Sequence, residues 1–123
     1  MFLIEVRQSL GISRYARGSS SREWLGEYEQ ITVRLRAASD RISEPAGKTV
    51  EFTLLEQVLH KATADLEGKR LASLDLFGRK APSLEQLAQF IFKKAEILLE
   101  HFAVRPQEVI LELPQERQVI YRQ

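Results

Sequence analysis

Phe2, Ile4 and Val6 alternate with Leu3, Glu5 and Arg7, a period of two that predicts a strand at the start of the chain. Ser9 to Arg22 is rich in Ser, Arg and Gly and reads as an irregular loop. Ile31, Val33 and Leu35 then alternate with Thr32, Arg34 and Arg36, giving a second strand, apolar on one face and mostly basic on the other. Residues 38–48 carry Ser, Asp, Pro and Gly and predict a loop. Thr53 followed by Glu56 has the form of a capping box, in which a hydroxyl accepts from an early helix amide and a carboxylate reaches back. Leu54, Leu55, Val58, Leu59, Ala62 and Leu66 follow at helical spacing, with Gly68 as the expected C-terminal stop. Gly78 to Pro82 breaks the pattern. Ser83 with Gln86 forms a second capping box, ahead of an apolar stripe at Leu84, Leu87, Ala88, Ile91, Ala95, Leu98 and Phe102. Pro106 is expected to stop any continuation. Val109, Leu111 and Leu113 alternate with Ile110 and Glu112 as a third strand, Pro114 to Glu116 turns it, and Gln118 to Arg122 returns as a fourth.

Strand pairs flanking two helices predict an α+β fold, with a four-stranded antiparallel sheet and both helices on one face. The other face then carries Thr32, Arg34, Arg36 and Glu112. That set is too polar for a core and suits solvent, or the lumen of a barrel built from several subunits. With 123 residues, 44% hydrophobic and 28% charged, one folded domain over 1–123 is expected, and extensive disorder is not. No run of about 18 apolar residues exists, so no spanning helix and no membrane partner are expected. Met1 to Glu5 turns charged too early for a secretory signal, and a cytoplasmic location is expected. The absence of cysteine excludes disulfides, thiolate metal sites and cysteine nucleophiles. His60 and His101 are the only histidines, fewer than most zinc sites require. A net charge of +1 provides no excess for gripping a phosphate backbone, so no nucleic-acid partner is expected.

The order ββααββ resembles the tunnelling fold of pterin- and purine-handling enzymes, and four segments make the chain most similar to the 6-pyruvoyltetrahydropterin synthase and 6-carboxytetrahydropterin synthase family. Val50-Glu51-Phe52 is similar to the family's Val-Asp-Phe entry into its first helix. Leu66-Glu67-Gly68-Lys69-Arg70-Leu71 stands where the family has Leu-Asp-His-x-x-Leu. Ala81-Pro82-Ser83-Leu84-Glu85-Gln86-Leu87-Ala88 resembles its Pro-Thr-x-Glu-Asn-Leu-Ala opening of the second helix. Leu111-Glu112-Leu113-Pro114, ending at Tyr121-Arg122, looks like its final hairpin. Together these span roughly residues 24–123. The departures concern chemistry. Leu25-Gly26-Glu27 stands where the family has the zinc ligands His-Gly-His, residues 7–15 hold no histidine, Gly68 replaces a histidine, and the catalytic cysteine is missing. The resemblance therefore implies the fold without the family's zinc-dependent chemistry, and no cofactor and no metal are expected. Dihydroneopterin aldolases, which share the fold and need no metal, are the second resemblance, through Glu85-Gln86-Leu87-Ala88. Their catalytic Lys and Tyr correspond here to Leu113 and Phe52.

The resemblance implies that Glu85 is the ring anchor. A carboxylate accepts two parallel N–H bonds from the 2-amino and N3–H edge of a pterin or guanine. A Glu in a first helical turn is also favoured by the helix dipole alone. Glu112 is the second expected anchor, with Leu113 as the neighbouring alignment, and Ser83 completes the expected ligand-binding set. Arg14, Arg17 and Arg22 are candidates for holding a phosphorylated ligand, or else belong to an exposed or subunit-contacting loop. Glu27 and Glu29, with His60 or Asp65, could hold a hard cation but read as solvated residues. Trp24, Tyr15 and Tyr28 could stack on a flat ring or simply pack. Ser19 to Ser21 has no nearby histidine for activation, which argues against a hydrolase triad.

These observations lead to one expectation with two alternatives. The first is a divergent synthase-like protein that binds a pterin or purine-like small heterocycle in a homo-oligomer, its catalysis lost or rebuilt. The alternatives are a metal-free aldolase or epimerase of the pterin pathway, and a non-catalytic assembly or ligand-sensing subunit.

Overall fold

The computed structural model describes residues 2–12, 29–39, 50–69, 75–76, 79–80 and 83–123. The elements are β1 (Phe2–Ile12), β2 (Glu29–Ser39), α1 (Val50–Thr63), β3 (Asp75–Leu76), β4 (Arg79–Lys80), α2 (Leu84–Leu98), β5 (Val104–Leu113) and β6 (Arg117–Arg122). The main sheet is antiparallel throughout, in the order β1-β2-β5-β6. β3 and β4 pair as a short separate hairpin between the helices.

The core forms because alternation puts one apolar set on a single face. Val6, Leu10 and Ile12, then Ile31, Val33 and Leu35, then Val109 and Leu111 meet Leu55, Val58 and Leu59 of α1 and Leu87, Ile91 and Phe92 of α2. Phe92 is fully buried and stands edge-on to Tyr121 at 5.1 Å. The one polar exception on the β1 core side is Gln8. Its amide donates to Thr63 Oγ1 at 2.6 Å, and that hydroxyl donates onward to the Leu59 carbonyl at 2.8 Å. The satisfied chain of bonds is what makes its burial tolerable.

Several sequence expectations are corrected. β1 continues through Ser9 to Ile12 because Leu10 and Ile12 are buried in the core, while Ser9 falls on the opposite, exposed side of the strand. Helix α1 starts at Val50, so Thr53 lies inside it and does not cap it. Gly68 has a left-handed φ of 76°, but it closes the turn beyond α1, which ends at Thr63. Phe102 lies past the end of α2 and is 52% exposed.

Pro106 does not end structure but sits inside β5, beside a bulge. Ala37 pairs with Pro106 and Arg36 with Glu108, so Gln107 is the extra residue. Bulges and flanking positions tolerate proline's missing N–H. The bulge also shifts the alternation by one. Val104 and Pro106 are buried before it, and Val109, Leu111 and Leu113 after it. Glu108, Ile110 and Glu112 thereby face away from the helices.

Among the described residues, no helix is long and apolar enough to cross a membrane.

Candidate functional site

The start of α2 is built by its own sequence. Ser83 is the N-cap: its hydroxyl accepts from the Gln86 amide at 3.1 Å, and Gln86 Oε1 accepts from the Ser83 amide at 2.8 Å. The predicted capping box is therefore present, and it holds Glu85 in the first turn, where the helix dipole favours a carboxylate. Glu85 is exposed and has no hydrogen-bond or ion-pair partner among the described residues. Its two oxygens are free to accept a pair of N–H groups. Ser83 keeps its hydroxyl proton available after capping.

Glu112 lies on the helix-free face of the sheet, at 34% side-chain exposure, with its Oε1 3.8 Å from Arg34 Nε. That separation is too long for a hydrogen bond, so among the described residues its acceptors also remain open. The adjacent Leu113 is buried in the core. Since α2 returns into β5 through residues 99–103 only, the two run antiparallel. Glu85 and Glu112 thus share one end of the molecule, yet the sheet separates them: Glu85 stands in the helix layer and Glu112 on the opposite face. One protomer does not bring the two carboxylates together. Ile12 and Glu29, which flank the segment carrying Arg14, Arg17 and Arg22, pair at the same end. Those three arginines, with Tyr15, Trp24, Glu27 and Tyr28, lie outside the described residues.

The helix-free face carries a charge network that sequence reasoning saw only in part. Glu5, Arg36, Glu108 and Arg122 are directly opposed across β1, β2, β5 and β6. Arg36 donates to Glu5 and Glu108 at 2.8 Å each, and Arg122 donates to Glu108 at 3.0 Å. Arg34 forks onto Glu5 at 2.8 and 3.0 Å, and Arg7 adds a third guanidinium at 3.1 Å. The hydrogen bond from Arg34, with those from Arg36 and Arg7, outweighs partial burial and lowers the Glu5 carboxyl to about 2. The same contacts raise Arg34 and Arg36 above the usual guanidinium value. Arg34 and Arg36 were visible as the polar half of a strand. Their partners could have been found from Glu5 and Glu108, had the length of β1 and the bulge in β5 been known.

Among the described residues, the other candidates are not brought together. His60 is exposed on α1, and His101, 88% exposed, stands 3.5 Å from Glu100. Asp65 pairs loosely with Lys94 at 3.6 Å. The zinc that the resemblance carries with it needs several imidazoles or thiolates. The chain's two imidazoles sit apart on its surface, and among the described residues no three His, Asp or Glu side chains converge. The donor set does not fit that metal. A cavity of about 480 Å³ opens at the far end of α2, between Leu99, Phe102, Val104, Pro106 and Gln123; it contains none of the predicted ligand residues.

The fold matches known structures. That of Caenorhabditis elegans 6-pyruvoyl tetrahydropterin synthase aligns with a TM-score of 0.68 at 12% identity, covering 99% of this chain and 95% of that one. No curated protein sequence matches. The family model for 6-pyruvoyl tetrahydropterin synthase matches residues 26–123, from before β2 to the end of the described chain. On that match, the chain belongs to the 6-pyruvoyl tetrahydropterin synthase family.

Proposed function

We propose that this protein binds a pterin or related purine-like heterocycle, without zinc, as one domain of a cytoplasmic homo-oligomer whose sites are completed where protomers meet. The observation that carries this reading is Glu85: an exposed carboxylate with no partner among the described residues, held by a complete capping box, in a chain of this family. A carboxylate with both oxygens open matches the paired N–H edge of such a ring. Glu112 would have to come from a neighbouring protomer to share that site, because the sheet separates it from Glu85 within one chain, and Arg14, Arg17 and Arg22 are the residues proposed to hold a phosphorylated ligand there. Ser83 contributes its remaining hydroxyl proton. With no cysteine in the chain and two surface histidines, the family's zinc-assisted proton transfers have no residues to run on. The reading is therefore one of ligand binding, with any turnover rebuilt on Glu and Arg.

The test is thermal denaturation of the full chain with pterin, dihydroneopterin and guanine. The unaltered protein is expected to gain several degrees with at least one of them. Glu85→Ala should lose that gain while melting within a degree or two of the parent, since its carboxylate has no hydrogen-bond or ion-pair partner among the described residues. An unchanged ligand-induced gain in Glu85→Ala removes the anchor assignment.

A further inference from the structure

Leu66-Glu67-Gly68, the segment that stands where the family has Leu-Asp-His, lies in the turn beyond α1, against the end of β1. Leu66 is buried in the core and anchors the turn from inside. Its amide donates to the Thr63 carbonyl at 2.9 Å, and its carbonyl accepts from the Lys69 amide at 3.1 Å. Glu67 presents both carboxylate oxygens to the Gly11 amide, at 3.1 and 3.3 Å. The Gly68 amide donates to the Gly11 carbonyl at 2.8 Å, from a backbone at φ 76° that suits glycine. The turn thus satisfies both backbone groups of Gly11, as a ladder pair would, with a side chain standing in for one backbone group. Leu10 and Ile12 on either side are fully buried, so the bonds fall where the end of the strand is held in the core.

We infer that Gly11, Glu67 and Gly68 form a clasp that fastens the end of β1 to the turn beyond α1, and that this motif position serves the fold here, in place of proton transfer or ligand binding. Among the described residues the Glu67 carboxylate has no partner but Gly11, 56 positions away along the chain. Gly11 must lack a side chain for the clasp to close. A Cβ there would stand 2.8 Å from Glu67 Oε2 and 3.1 Å from Gln30 Nε2. Both atoms end flexible side chains and can swing aside, so a methyl group at position 11 and a carboxylate on its amide exclude one another without moving backbone. Gly68 is required for a different reason. A Cβ at that position would meet nothing within 4 Å, and only the left-handed backbone calls for glycine. An imidazole there, as in the family motif, would strain the residue whose amide closes the clasp. Fastened in this way, Glu67 is unavailable to any turnover rebuilt on Glu and Arg.

Amide hydrogen exchange of the full-length protein reads the clasp directly. Glu67→Ala should speed exchange at Gly11 about tenfold, the equivalent of one hydrogen bond, while the amides of Val33 and Leu111 in the central strands stay within about twofold of the parent. Glu67→Gln keeps an acceptor oxygen without the charge and should keep most of the Gly11 protection. Gly11→Ala should lower the melting temperature of the parent by a few degrees and that of Glu67→Ala hardly at all, because both changes remove the same contact. Unchanged exchange at Gly11 in Glu67→Ala, a loss in Glu67→Gln as large as in Glu67→Ala, or additive losses in the double variant would each overturn the clasp. So would a Glu67→Gln protein that loses a pterin-induced rise in melting temperature while Gly11 stays protected, since that result assigns the carboxylate to a ligand.

Discussion

The two faces of the main sheet are built from the same four strands and are closed by different physics. The helix-side face buries aliphatic side chains and Phe92 against α1 and α2, and its stability scales with the area removed from water. Among the described residues, no layer covers the helix-free face. It is organised by guanidinium–carboxylate bonds running across the strands. Such contacts contribute modestly when partly exposed, but they are directional. One face therefore supplies most of the folding energy, while the other specifies which strand positions stand side by side.

The sharpest way to break the first face is Phe92→Ala. Removing a fully buried ring that also stands edge-on to Tyr121 should cost about 3–5 kcal/mol, measured by denaturant unfolding. The second face is interrogated by acid. The folded Glu5 carboxyl is lowered to about 2 from its ordinary value of 4.5, so the native state holds that proton less tightly than the unfolded chain. Its contribution is complete above about pH 4.5 and is withdrawn as pH falls through about 2. It is worth at most about 3 kcal/mol by linkage, and less after solvent screening. Glu5→Gln should flatten that part of the stability–pH curve; an unchanged curve would show that the arginine cluster does not stabilise the carboxylate. The smallest effect is local to α2. Ser83→Ala removes a cap hydroxyl and should cost about 1 kcal/mol, whereas Glu85→Ala should leave stability within about 0.5 kcal/mol.

Much of the candidate site was legible because its determinants are local. Ser83, Glu85 and Gln86 lie within one helical turn, and the capping box needs nothing beyond that turn to form. The helix-free face was half legible. Arg34 and Arg36 declared themselves by alternation in β2, but Glu108 requires the bulge at Gln107 to reach that face. Where β1 ends was misread for a related reason. Ser9 and Gly11 look like loop residues when read locally, yet Ser9 lies on the helix-free side and Gly11 is buried where its backbone binds Glu67 and Gly68. Thr53 shows the converse. Its motif has the spacing of a cap, but a helix that begins at Val50 leaves it no free terminus to cap.

Features carried by nearest neighbours and short periods could be read directly from the residues: two helices, which side of each strand is apolar, the Ser83 cap, and an order of motifs that resembles one family. Which strand positions oppose one another, where the bulge reverses their parity, and that the sheet stands between Glu85 and Glu112 emerge from the folded chain alone. The reason is range. Helical and strand periodicity is written in residues two to four apart, whereas the row Glu5–Arg36–Glu108–Arg122 joins positions separated by much of the chain, and only strand pairing sets them side by side.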